Sequence, residues 1–151
     1  MSSLLRLTAV LSVLLACNDK GPFEPLSELP FAYATNSCGP TDAPTVVIYL
    51  AAQSFQLPEL VAPYIQVNVP VASSELKAGD EFEVQEDWTG ANAWFHASGL
   101  EPRAANHGEV GITAFGANAL SGYVDLEFAG GLQFRGSFVA AWQPRQLLLC
   151  G

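Results

Sequence analysis

The stretch LSGYVDLEFAGGLQFRGSFVAAW, Leu120–Trp142, decides how this chain folds. Along Leu120–Phe128, apolar or glycine residues fall at 120, 122, 124, 126 and 128, while Ser121, Tyr123, Asp125 and Glu127 take the other face. Along Leu132–Trp142 the inward set is Leu132, Phe134, Gly136, Phe138, Ala140 and Trp142, with Gln133, Arg135 and Ser137 opposite. Successive strand residues point to opposite faces, so this period of two predicts two half-buried strands. Paired residues share a face, and the two inward sets meet only across a loop with an odd number of residues. A Gly130-Gly131 loop would set Phe128 against Gln133. The loop Ala129-Gly130-Gly131 instead pairs Phe128 with Leu132, Leu126 with Phe134, Val124 with Gly136 and Gly122 with Phe138. Gly131 then supplies the left-handed residue of a bulged turn, and the Phe138 ring covers Gly122. Arg135 lands opposite Asp125 on the outer face, where an exposed pair contributes under about 1 kcal/mol.

Upstream, short β-branched and aromatic runs are separated by Gly, Pro, Asn and Asp. Strands are predicted at Phe31–Thr35, Thr45–Ala51, Tyr64–Val71, Glu81–Asp87, Asn92–Ala97 and Val110–Phe115, with at most one helical turn in 53–62. Many short strands at such spacing predict one all-β domain over 31–151, a small antiparallel sandwich or barrel, and the sandwich is the architecture expected.

The chain begins differently. Arg6 precedes an uncharged run from Leu7 to Ala16, and polar residues start at Asn18. A basic start, a short apolar run and a small residue before the cut are the marks of a secretory signal peptide over 1–16. The run is about half the roughly 20 residues that span a bilayer. Leu14-Leu15-Ala16-Cys17 resembles the lipobox of bacterial lipoproteins cut by signal peptidase II, departing from it at Leu15, where Ala, Ser or Thr is commoner. The resemblance implies a diacylglycerol thioether on Cys17, with a further acyl chain such as palmitate on the new amino terminus. Two or three acyl chains anchor a protein stably, at about 0.8 kcal/mol per buried CH₂. The rival reading is an ordinary signal peptide followed by a core cysteine. Residues 17–30, with prolines at 22, 25 and 30, read as a lipidated tether. Asn18 is not the Asp that often retains lipoproteins at the inner membrane, which favours the cell outer membrane. More loosely, Gly130-Gly131, Gly136-Ser137-Phe138 and the late Cys150 resemble the ends of small myxobacterial lipoproteins, a likeness that implies location and fold but no activity.

Removal of residues 1–16 takes Arg6 with it and leaves 135 residues with five Lys and Arg against 15 Asp and Glu, a formal charge of −10. That is enough chain for one sizeable core, and its charge argues against nucleic acid, which is held by basic surfaces. It argues equally against adhesion to anionic head groups. With Cys17 assigned to lipid, Cys38 and Cys150 form an even pair in an oxidising compartment and read as one disulfide. Two free thiols or a metal pair are the alternatives, but neither cysteine has a histidine or a further cysteine near it in sequence. No metal and no cofactor is expected.

Enzyme signatures are absent: no Gly-x-Ser-x-Gly, His-Glu-x-x-His, Walker loop or dinucleotide fingerprint occurs. His96 and His107 are the two histidines, and His107, in Ala105-Asn106-His107-Gly108, reads as a loop residue. The run Asp80-Glu81-Phe82-Glu83-Val84-Gln85-Glu86-Asp87 holds enough oxygens for calcium. Its alternation instead sets Glu81 and Glu83 on one face and Phe82 and Val84 on the other, a half-solvated strand. Trp88, Trp94 and Phe95 cluster near a turn. Core is the favoured place for Trp94, since aromatics carry much of the core energy; with Phe95 inward, Trp94 and His96 would face out as a site for a sugar or partner. Together these features predict a non-enzymatic structural or binding module, membrane-tethered through its lipid, with an envelope protein or glycan as partner. A surface factor in adhesion or motility is one alternative, and an envelope enzyme using His96 or His107 beside a carboxylate is another.

Overall fold

The structure is a computed structural model that describes residues 23–39, 42–86, 90–145 and Cys150. Residues 1–16, read from the sequence as a signal peptide, and Cys17, Asp87 and Trp88 lie outside the described residues. Eight strands follow in order: β1 (Phe31–Cys38), β2 (Pro44–Ala51), β3 (Tyr64–Val69), β4 (Glu81–Val84), β5 (Asn92–His96), β6 (Arg103–Phe115), β7 (Ala119–Phe128) and β8 (Leu132–Trp142). Their neighbours run β1–β2–β3–β5–β6–β7–β8, and a parallel pairing of β8 with β1 at Tyr33–Ala141 and Ala34–Trp142 returns the ladder to its start. β4 adds to β6 beyond the end of β5. The domain is therefore all-β, a closed barrel of seven strands with an eighth attached, which is one of the two expected architectures, though not the sandwich favoured between them. Closure leaves those seven strands without a free edge.

The β7–β8 hairpin has the register its sequence requires. Phe128 pairs with Leu132, Leu126 with Phe134, Val124 with Gly136, and Gly122 with Phe138. Gly131 has φ +78°, and a Cβ on Gly122 would lie 2.9 Å from the Phe138 ring. Leu126, Phe128, Phe134 and Phe138 are buried, whereas Arg135 is exposed and its Nε lies 3.6 Å from Asp125. Ile48, Leu50, Ile65, Val67, Val110 and Ile112 fill the rest of the interior. About eight strands enclose just enough space for side chains to fill, so a seven-stranded barrel has a packed core in place of a lumen.

Two expectations of extent change. Residues 23–30, read as tether, belong in part to the domain: Leu26 and Leu29 are buried. The Leu26 amide donates to the Ser137 carbonyl at 3.0 Å, and the Ser137 amide donates to Glu24 at 2.8 Å. β6 begins at Arg103, not Val110, so His107 is on a strand. A register shift between Ala105 and His107 leaves Asn106 and His107 both exposed, which breaks the alternation that would have revealed it. The 53–62 loop has turns but no helix, as Pro58 and Pro63 disfavour helical backbone before them.

Cys38, the last residue of β1, is bonded to Cys150, with Cα atoms 5.6 Å apart. Residues 143–145 run beside β1. The Gln143 amide donates to the Ala34 carbonyl at 2.8 Å, and Thr35 Oγ1 donates to the Gln143 carbonyl at 2.7 Å. Asn36 exchanges two bonds with the Arg145 backbone, at 3.1 and 2.7 Å.

Candidate functional site

Apolar side chains pack the interior, and the polar and ring positions lie on the outer wall. In β3, Ile65, Val67 and Val69 point inward, so Tyr64, Gln66 and Asn68 point out. Antiparallel pairing carries that face to both neighbours. Tyr49 lies beside Gln66 and Val47 beside Asn68; on the other side, Trp94 pairs with Gln66, His96 with Tyr64, and Asn92 with Asn68. Phe95 turns inward and meets the Phe128 and Phe134 rings at 5.9 and 5.3 Å. Trp94 is therefore on the outer face and half-buried, against the expectation of a core residue.

Two kinds of side chain share this wall. The first is a chain of rings. Phe55, in the β2–β3 loop, is buried against Tyr33 at 4.4 Å and Tyr49 at 6.2 Å; Tyr49 meets Tyr64 at 6.5 Å, and Tyr64 stacks on His96 at 4.3 Å. Burial pushes the Tyr49 hydroxyl above its usual range, opposed by the nearby Arg145 charge and reinforced by Tyr64. Burial likewise holds the His96 imidazole below its usual value, favouring the neutral ring. The second is a relay of amides: Gln66 Nε2 donates to Asn68 Oδ1 at 2.9 Å, and Asn68 Nδ2 donates to Asn92 Oδ1 at 2.7 Å. Rings and amides meet at a groove of about 330 Å³, lined by Tyr49, Val47, Thr45, Gln66, Asn68 and Asn92 and rimmed by Cys38 and Pro70. None of the described residues lining it is charged.

The wall over β4, β6, β7 and β8 is of another kind. Pairing sets Glu83, Glu109, Asp125 and Arg135 in one row across four strands. Tyr123 crosses it, and its single hydroxyl proton is shared between Glu109 Oε1 at 2.6 Å and Glu81 Oε1 at 2.8 Å. The ring lies so close over Gly111 that a Cβ there would stand 2.1 Å from it. Burial, and then hydrogen bonding to both carboxylates, hold the phenol protonated far above its usual range. Phe23 stacks on Tyr123 at 4.3 Å, and the Arg135 guanidinium sits 5.0 Å from the Phe23 ring.

The residues singled out from sequence are scattered. Glu81 and Glu83 face outward on β4, as the alternation required, and Asp80 caps its own turn by accepting the Lys77 amide at 2.7 Å. No group of three His, Cys, Asp or Glu side chains among the described residues is placed to hold a metal ion. His107 Nε2 lies 3.4 Å from Glu127, with 68% of the imidazole side chain exposed, so this pair is on open surface and not in a cleft. His96 is stacked on Tyr64. Gln66, Asn68 and Asn92 were not anticipated, since no local motif joins residues from two strands; the alternation of Tyr64–Val69 was the available signal. Comparison with family models, curated proteins and solved structures finds no match for this chain.

Proposed function

We propose that this chain is a lipid-anchored, non-enzymatic binding module of the bacterial cell envelope, held on the outer membrane through Cys17. The observation that carries the binding part is the groove of rings and amides, uncharged among its described lining residues, on the outer wall of a barrel packed with apolar side chains. The anchored part rests on the lipobox and on the position of Phe23. Five residues lie between Cys17 and Phe23, a reach of at most about 20 Å. Phe23 packs on β7, which stands across the barrel from β3. The N-terminal segment thus meets one wall, and the groove opens on the opposite one. Labelling with palmitate tests the anchor. The mature protein should incorporate label and enter the detergent phase, and Cys17→Ser should do neither; a Cys17→Ser protein that still partitions as the mature form overturns the reading.

A further inference from the structure

We infer that the groove on the β2–β3–β5 wall binds a neutral oligosaccharide, with a ring face of the sugar against Tyr49 and its hydroxyls meeting the amides of Gln66, Asn68 and Asn92. This deepens the binding-module reading and rests on it.

Three features select the ligand class. The first is the relay. Each side-chain amide carries two donor hydrogens and an acceptor oxygen. Two bonds within the relay fix the orientation of three amides and leave Gln66 Oε1 at one end and Asn92 Nδ2 at the other. A polyol presents hydroxyls that donate and accept in turn, and it matches such a line of groups without any charge. Pre-set amides lose little freedom on binding. The second is a ring. Tyr49 lines the groove and is half-buried, so part of its ring faces the space. Aromatic faces carry a partial negative charge and bury large area, which suits the C–H faces of a pyranose. The third is size and charge. A groove of about 330 Å³ lies at the low end of small-ligand sites, room for a unit or two of a longer glycan. Its described lining is uncharged although the chain carries a net charge of −9. Arg145 acts on Tyr49 from the β1 side, so a uronic acid drawn to that guanidinium is the rival occupant.

Calorimetry on the full mature protein in detergent micelles separates the outcomes, using cellotetraose, N-acetylchitotetraose, mannotetraose and tetragalacturonate as probes. At least one neutral tetramer should bind with a Kd of about 1 mM or tighter, and Gln66→Ala and Tyr49→Leu should each weaken it roughly tenfold. Circular dichroism should show both variants folded; Asn92 is buried, so its removal is not relied on. The inference is overturned if no neutral tetramer binds at about 10 mM, if tetragalacturonate binds tightest, or if two folded variants bind as well as the parent. A lipidated protein that binds none of the neutral probes overturns this inference and leaves the anchored module standing. Glycan binding by a chain that takes no palmitate overturns the anchor instead.

Discussion

The wall over β2, β3 and β5 and the wall over β6, β7 and β8 stand on one closed ladder and share one core, but their outward positions are filled by opposite rules. On the first, rings and amides contact one another and no described lining residue of the groove is charged. On the second, Glu83, Glu109 and Asp125 stand side by side, an arrangement that costs stability when like charges face across strands. Tyr123 offsets part of that repulsion by sharing its hydroxyl proton between two carboxylates, and Arg135 closes the row. The second wall also carries the packed N-terminal segment, through Phe23 and Leu26. The comparison teaches that the alternation of a barrel strand fixes the inside, while the outside is free to differ from wall to wall. In this chain one wall holds the incoming chain and the other holds a groove.

Perturbing the shared core should damage both walls together. Phe134→Ala, under both, should cost about 3–5 kcal/mol in denaturant unfolding. A cost no larger than that of an outer-face variant would show that the two walls do not rest on a common interior. Removing the bridge with Cys38→Ser and Cys150→Ser comes next. Closing a span of 112 residues is worth about 2–4 kcal/mol in typical measurements. The loss should be accompanied by weaker ligand binding, because Cys38 rims the groove.

Changes on one wall should then leave the other alone. Phe23→Ala should cost about 0.5–1.5 kcal/mol beyond its lost area, from the ring stack on Tyr123, without altering the groove. Arg135→Ala should cost under about 1 kcal/mol, as an exposed pair. On the opposite wall the smallest effect is a pH dependence. His96 has its pKa lowered in the folded state by burial, so the unfolded chain binds a proton first. Stability is then full above about pH 6.5 and declines as pH falls from there toward the lowered folded value. His96→Phe, which keeps a ring on Tyr64, should flatten that decline; an unchanged profile assigns the slope to other groups.

How legible each wall was in the sequence follows the same division. The hairpin under the acidic wall could be read to the residue, because both strands bury one face and the loop length fixes parity. Trp94 could not, because Trp94 and Phe95 are both large and apolar and periodicity cannot choose between them; its partner Gln66, which points out, makes the choice. The relay of Gln66, Asn68 and Asn92 depends on which strands are neighbours, information that no local pattern holds. Closure was hidden for a similar reason. It hangs on the parallel meeting of β1 with β8, the first and last strands, and a strand count alone fits a sandwich as well. The N-terminal segment misled through its prolines, which read as a linker, while Leu26 and Leu29 supplied the contacts that dock it.

The division between the walls is tested most directly by nuclear magnetic resonance on the isotope-labelled mature protein, titrated with the neutral tetramer that calorimetry selects. The side-chain amide signals of Gln66, Asn68 and Asn92 should move and saturate together, while the backbone signals of Glu83, Glu109, Asp125 and Arg135 stay in place. Saturating shifts centred on the β6–β7–β8 wall, or shifts spread evenly over both, would contradict the account.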